Sequence, residues 1–265
     1  SNFDKNMLAK LVIAAFYILI DLAKYCMENF PKTCEFVPDD IIVMVGLMTD
    51  TAFPIMDFFG ELIQFFLSNP SGQPLTTIIN CLVNCLYMRM AFSVIAKENS
   101  NVVTVRQFKS YVNLLTYGDD NIMNVSPKIP WFHHTSIQKV LAGMGVKYTM
   151  SDKTSESVKY ITLQDADFLK RKFVFDDELQ YVMAPLEESS IAKMLNLHVT
   201  SKIVTPEEQV VDIIRCANRE YFFYGRKNFT VRHNELKLVI SDCNLGDYFR
   251  EYPLLSFNQI RKSIV

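Results

Sequence analysis

The sequence predicts an α+β protein in which antiparallel hairpins are backed by helices and followed by a helical tail. Three observations predict it. Tyr111 to Thr116 and Ile122 to Val125 are short strand-like runs joined by Tyr117-Gly118-Asp119-Asp120-Asn121, a β-hairpin signal in which Gly118 supplies the freedom a tight turn needs. Leu75 to Lys97 is one long helical run entered from the turn-forming cluster Asn69-Pro70-Ser71-Gly72-Gln73-Pro74. From Pro185 onward the spacing of apolar residues is helical, with no internal repeat.

Composition sets the limits. The chain has 265 residues, of which 49% are hydrophobic, enough to bury a sizeable core in one or two domains. The net charge of −2 does not mark a general polyanion binder. The charge is uneven, however. Residues 1–70 carry 4 basic against 9 acidic side chains, and residues 201–265 carry 10 against 8, so a nucleic-acid site would be a local patch. The six cysteines form no Cys-x-x-Cys pair and stand far from His133-His134, which argues against a zinc site or a disulfide framework and for a reducing compartment. Leu11 to Ile20, ten residues between Lys10 and Asp21, is the longest apolar run and too short to span a bilayer. No signal-peptide pattern is present, and the absence of an initiating Met leads us to expect a piece of a longer chain.

Element by element, residues 6–29 have helical spacing, with Leu8, Leu11, Val12, Ala15 and Phe16 on one face, ended by Phe30-Pro31. Pro38-Asp39-Asp40 opens a second helix over 40–52, and Pro54–Asp57 with Glu61–Leu67 form a hairpin around Phe58-Phe59-Gly60. A helix over 135–144 follows Trp131-Phe132-His133-His134, where a helix entry and a packed ring are a better reading than metal ligands. Val146–Met150 is a strand and Ser151–Ser155 a polar loop. Phe168 to Phe175 is a strand, turned at Asp176-Asp177-Glu178 and returned by Leu179–Met183. In the tail, helices cover 186–195, then from Thr205 (N-cap, first-turn proline, capping-box Glu208) to about Tyr224 before Gly225, then 228–240.

Four places carry candidate chemistry. Adjacent carboxylates at the tip, Asp119 and Asp120, repel each other; a divalent cation relieves that, but so does water around an ordinary turn. Thr76, Asn80 and Asn84 recur at i, i+4 and i+8, which is either a polar stripe facing a groove or a mildly amphipathic surface. Ser71-Gly72 feeds a helix N-terminus with exposed backbone N–H groups. Lys170-Arg171-Lys172 is either a phosphate contact or a charged edge that blocks aggregation.

Taken in order, Ser1-Asn2-Phe3-Asp4, Ser71-Gly72 with Thr76 and Asn80, Tyr117-Gly118-Asp119-Asp120, Asp152-Lys153 and Phe168-Leu169-Lys170-Arg171 resemble motifs A to E of the RNA-dependent RNA polymerases of picorna-like positive-strand RNA viruses. The wording around Ser71 and Tyr117 resembles the marine picorna-like and dicistrovirus-like groups. The resemblance spans nearly the whole chain, and five ordered motifs are far more specific than one.

The resemblance implies a right-hand polymerase: a ferredoxin-like antiparallel palm with part of the fingers and a helical thumb. Residues 1–9 would close motif A in the palm, 10–70 would be a fingers or palm insertion, 71–183 the palm with motifs B to E, and 184–265 the thumb. Asp119 would be the main Mg²⁺ ligand with Asp120 assisting, Mn²⁺ serving in its place. Ser71 and Gly72 would form the mobile motif B loop. Asp4, Thr76 and Asn80 would bond the ribose 2′-hydroxyl. Lys153 would protonate departing pyrophosphate, and Lys170 and Arg171 would grip the primer strand. Implied partners are RNA template and primer, ribonucleoside triphosphates, a protein primer where priming is not de novo, and other viral replication proteins in the host cytoplasm. A first motif A aspartate is expected two positions before Ser1, and motif F lies outside the chain. The 265 residues alone are therefore expected to be inactive. Two rivals remain: a reverse transcriptase, against which the Ser-Gly loop with Thr76 and Asn80 argues, and a non-catalytic palm-like binding module.

Overall fold

A computed structural model describes residues 7–66, 69, 72–99, 102–197 and 199–264; Asp4 and Ser71 lie outside the described residues. Contacts divide the chain into two compact units, one up to Tyr160 and one from Ile161.

In the first unit α1 (Ala9–Asn29) packs on α2 (Pro38–Ala52) and on the long α3 (Thr76–Asn99). Pro38 stands in the first turn of α2, and the Asp40 carboxylate accepts from the Val37 N–H at 2.8 Å, which caps the helix. β1 (Ile55–Phe58) and β2 (Glu61–Gln64) form the expected hairpin. A short 3-10 turn, Val105–Gln107, and the single-turn α4 (Phe108–Tyr111) lead into β3 (Val112–Tyr117), which pairs antiparallel with β4 (Asp120–Val125). α5 (His134–Gly143) closes the layer by packing on α3.

The core of this unit is built on α3. Its buried face carries Ile79, Val83, Tyr87, Met88, Ala91, Phe92 and Ile95. Phe92, fully buried, meets Phe108, Trp131 and Phe132 at centroid distances of 5.2, 5.5 and 5.1 Å in edge-on or tilted contacts, the geometry aromatic pairs prefer. Among the described helices α3 is the one long and apolar enough to cross a membrane, but half of its most apolar window is buried inside the protein, as in the core helix of a globular unit.

In the second unit β5 (Asp167–Phe168) pairs with β6 (Arg171–Lys172), and β7 (Val174–Asp176) with β8 (Tyr181–Met183). Helices α6 (Glu188–Asn196), α7 (Pro206–Phe222), α8 (Gly225–Asp242) and α9 (Phe257–Ile264) enclose Ile191, Ile214, Phe222, Phe229, Phe257 and Ile260. The capping box holds as read: Glu208 N–H donates to Thr205 Oγ1 at 3.3 Å, and Thr205 N–H donates to the Glu208 carboxylate at 2.8 Å.

The structure differs from the sequence reading in four places. Phe168 to Phe175 is not one strand but parts of two hairpins, because Leu169 and Lys170 both take left-handed φ values (57° and 60°) and close a two-residue turn. Among the described residues Val146–Met150 joins no ladder, and the Tyr148 carbonyl accepts from the Gln138 side chain at 2.8 Å. Gly225 opens α8 at φ +82° rather than merely ending α7, and a Cβ there would stand 3.1 Å from the Asp176 carboxylate. The last helix, α9, was not anticipated. The antiparallel pairing is as expected, and the described strands form four two-stranded ladders. The contact boundary groups the β5–β8 hairpins with the helices that follow them.

Candidate active site

The β3–β4 turn is tighter than the sequence suggested. Tyr117 and Asp120 are the last paired residues, so Gly118 and Asp119 alone make the turn. Gly118 takes φ +60°, a value any side chain would strain, and its N–H donates to Cys81 Sγ at 3.1 Å. Alternation along the ladder turns Val112, Leu114 and Thr116 of β3, with Asn121, Met123 and Val125 of β4, to one face. That face lies on α3, where Thr116 Oγ1 donates to the Cys81 carbonyl at 3.4 Å and lies 3.5 Å from Cys85 Sγ. Tyr117 and Asp120 share the opposite, exposed face, and Asp119 is exposed at the tip.

Both aspartates thus project from a rigidly seated turn, and carboxylate oxygens are the hard donors that suit Mg²⁺ or Mn²⁺. They make a partial donor set: among the described residues no group of three or more His, Cys, Asp or Glu gathers.

The polar stripe on α3 faces inward. Asn80 is 6% exposed and accepts from Asn69 Nδ2 at 2.8 Å. Asn69 Oδ1 in turn accepts from Gln73 Nε2 at 2.8 Å, and Gln73 Oε1 accepts from the Thr51 hydroxyl at 3.4 Å. A run of amides therefore ties the start of α3 to α2 beside Asn80. Thr76, one turn before Asn80, is half-buried, with its N–H on the Gln73 carbonyl at 3.1 Å. Gly72 is exposed at φ +90°. Asn69 and Gln73 read in the sequence only as turn formers; their proximity to Asn80 was the available signal.

Lys153 is exposed in the loop after α5, in a left-handed conformation (φ 62°). Asp152 organises that loop: its carboxylate accepts from the backbone N–H groups of Thr154 and Ser155 at 3.1 and 3.0 Å and from the Ser155 hydroxyl. The Ser155 bonds hold the Asp152 carboxyl below the usual carboxylate range. His133 caps α5, its Nδ1 accepting from the Ser136 N–H at 3.2 Å, and His134 stacks on Tyr148 at 4.6 Å, the packed ring the sequence suggested.

Lys170 and Arg171 belong to the second unit and have different surroundings. Lys170 is exposed at the tip of the β5–β6 turn. Arg171 is committed internally: its two terminal nitrogens donate to the two Glu220 oxygens at 2.8 Å each, and one also donates to the Ala184 carbonyl at 2.9 Å. These three bonds make Arg171 a brace between β6 and α7, and a guanidinium has five N–H donors in all. Arg171→Ala should lower the stability of the second unit by about 1.5–3 kcal/mol, while Lys170→Ala changes it by less than about 0.5 kcal/mol. Chemical denaturation of both variants checks this; equal stabilities would remove the brace.

Comparison with known proteins places this geometry. The structure matches a solved structure, Sicinivirus 3Dpol RNA dependent RNA polymerase, with a TM-score of 0.69 at 18% identity, covering 99% of this chain and 49% of that chain. The fold is that of a right-hand polymerase. Residues 1–229 match the family model described as viral RNA-dependent RNA polymerase. The chain belongs to that family. Among its relatives are the replicase polyprotein of Drosophila C virus, 31% identical over 262 residues (97% of this chain, 14% of the polyprotein), and that of cricket paralysis virus, 31% identical over 221 residues (82% and 12%). The chain therefore spans only about an eighth of the length of these relatives.

Proposed function

We propose that this chain is the catalytic part of a viral replicase that performs template-directed RNA synthesis, transferring a nucleotidyl group from a ribonucleoside triphosphate to a primer 3′-hydroxyl. The observation that carries the reading is the seated Gly118-Asp119 turn with its two outward carboxylates, in a chain of the polymerase family. Mg²⁺, or Mn²⁺ in its place, would supply charge neutralisation for the transfer. Asp119 and Asp120 would hold it, with Asp4 contributing to the neighbouring ribose site. Residues 71–183 would act as palm and 184–265 as thumb, preceded by the end of motif A and a fingers insertion over 10–70.

The other residues position and discriminate. Asn80, oriented by Asn69, together with Thr76 and Asp4, would test the ribose for its 2′-hydroxyl, since a site built to bond that group leaves polar atoms unpaired when it is missing. Ser71 and Gly72 would let the loop before α3 adopt more than one backbone state. Lys153, held out on its turn, would give a proton to pyrophosphate. Lys170, with Arg171, would contact primer phosphate, and removal of Lys170 should lower the salt dependence of RNA binding by about one counterion. Replication would take place in the host cytoplasm with template RNA, primer and other replication proteins.

Two measurements test the reading. In a polymerase containing this chain, Asn80→Ala should relax the preference for ribonucleotides over deoxynucleotides by about tenfold or more; unchanged discrimination would remove Asn80 from the ribose site. The 265 residues by themselves should extend no primer if the two-metal site needs carboxylates beyond Asp119 and Asp120. Incorporation above background would show that the site is complete within them.

A further inference from the structure

Asn84 has no role in the scheme above, yet it is the most heavily committed side chain near the turn. It is 2% exposed, on a helix whose buried face is otherwise almost wholly apolar. Its Nδ2 lies 3.2, 2.9 and 3.3 Å from the carbonyl oxygens of Gly118, Asp119 and Asp120. Three successive carbonyls converge on one nitrogen that has two hydrogens, so the two are shared, with the shortest contact at Asp119. Such convergence requires a tightly curled backbone, and an amide buried for packing alone would cost stability that an apolar residue would not.

We propose that Asn84 is the positioning residue of the aspartate turn: it clamps the backbone from which Asp119 and Asp120 project, and Asn121 and Tyr148 fix the direction of its amide. The inference rests on the polymerase reading given above. The polarity of the chain of bonds follows from the turn outward. Carbonyls only accept, so Asn84 must point Nδ2 at them and present Oδ1 on its other side. There Asn121 Nδ2 donates to it at 3.1 Å, which leaves Asn121 Oδ1 as an acceptor. The Tyr148 hydroxyl fills that place, donating at 2.8 Å. For this the hydroxyl must keep its proton, and burial pushes its pKa up to about 12. The Tyr148 ring is itself held by stacking on His134.

Each link is a contact between segments distant in sequence, so the chain of bonds joins α3, β4 and the segment after α5. Tyr148 stands five residues before Lys153, and the same bonds therefore connect the loop that carries the lysine with the turn that carries the aspartates. Cys81 holds the turn from its N–H side while Asn84 holds its carbonyls, so the backbone is gripped from both directions. Misplacement of a catalytic group by about 1 Å is enough to cost about 10²-fold in rate.

The test uses a polymerase containing this chain, with Asn84→Leu (similar volume, no donor), Tyr148→Phe and Asp119→Ala. Hydrogen exchange of the peptide spanning the turn, Mn²⁺ binding by calorimetry, melting temperature, and kcat and KM for NTP are measured on each. For Asn84→Leu we expect turn exchange about tenfold faster, Mn²⁺ affinity about tenfold weaker and kcat about 10²-fold lower, with KM changed less than about threefold. Tyr148→Phe should move the same quantities in the same direction by about threefold with its melting temperature kept. If Asn84→Leu folds and matches wild type in exchange, Mn²⁺ affinity and kcat, the proposal is overturned. If Asn84→Leu does not fold, Tyr148→Phe decides, and wild-type exchange, Mn²⁺ affinity and kcat in that variant overturn it equally. An active Asp119→Ala would sink the polymerase site itself, whereas an inactive Asp119→Ala beside a wild-type-like Asn84→Leu sinks only this inference.

Discussion

Asp119→Ala, made in a polymerase containing this chain, should lower nucleotide incorporation by about 10³-fold or more while leaving the fold intact. The side chain is exposed at the tip of a two-residue turn whose attachments to α3 are made by its backbone, through the Gly118 N–H and the carbonyls of residues 118–120. As a metal ligand Asp119 would contribute several kcal/mol of charge stabilisation in the transition state, and each ~1.4 kcal/mol is tenfold in rate. Single-turnover extension of a labelled RNA primer measures it. Retention of more than a few per cent of wild-type activity would count against the metal role of Asp119.

Phe92→Ala should be the most destabilising single change in the first unit, costing about 3–5 kcal/mol out of a total of ~5–15 kcal/mol. Phe92 is fully buried in the second half of α3, and its ring contacts Phe108, Trp131 and Phe132, so the cavity would open where three segments meet. Those surroundings are rigid aromatic rings on separate elements, which leaves little scope for collapse into the void. Because α3 also carries Asn84 and Cys81, activity should fall with the fold instead of separately from it. Denaturant unfolding followed by tryptophan fluorescence reads the change, Trp131 being the only tryptophan in the chain and a direct neighbour of Phe92. A loss below about 1 kcal/mol would mean that the aromatic cluster is not the core of this unit.

What was legible in the sequence was local. Gly118 between two strand-like runs announced the hairpin, although Tyr117 and Asp120 turned out to be strand residues and the turn to be two residues long. Thr205 and Glu208 marked the start of α7 because a capping box is complete within four residues. Even the inward stripe on α3 was visible as a period. Its partners were not: Asn84 finds its acceptors 34–36 residues away and Asn80 finds Asn69 across a loop, and nothing in local spacing specifies such pairings. The left-handed pair Leu169–Lys170 was missed for a related reason. Neither residue is one that prefers positive φ, so tertiary context overrode propensity. In the basic triplet Arg171 bonds Glu220 while Lys170 and Lys172 are exposed, a division that charge alone does not reveal.

The central claim is that the Asp119-Asp120 turn serves template-directed RNA synthesis. The most direct measurement is Mg²⁺-dependent extension of an RNA primer on defined RNA templates by a polymerase containing this chain, with ribonucleotides and deoxynucleotides supplied separately. The account predicts products complementary to each template from ribonucleotides, and little from deoxynucleotides. Efficient extension with deoxynucleotides, or none with ribonucleotides by a folded enzyme that binds the template, would contradict it.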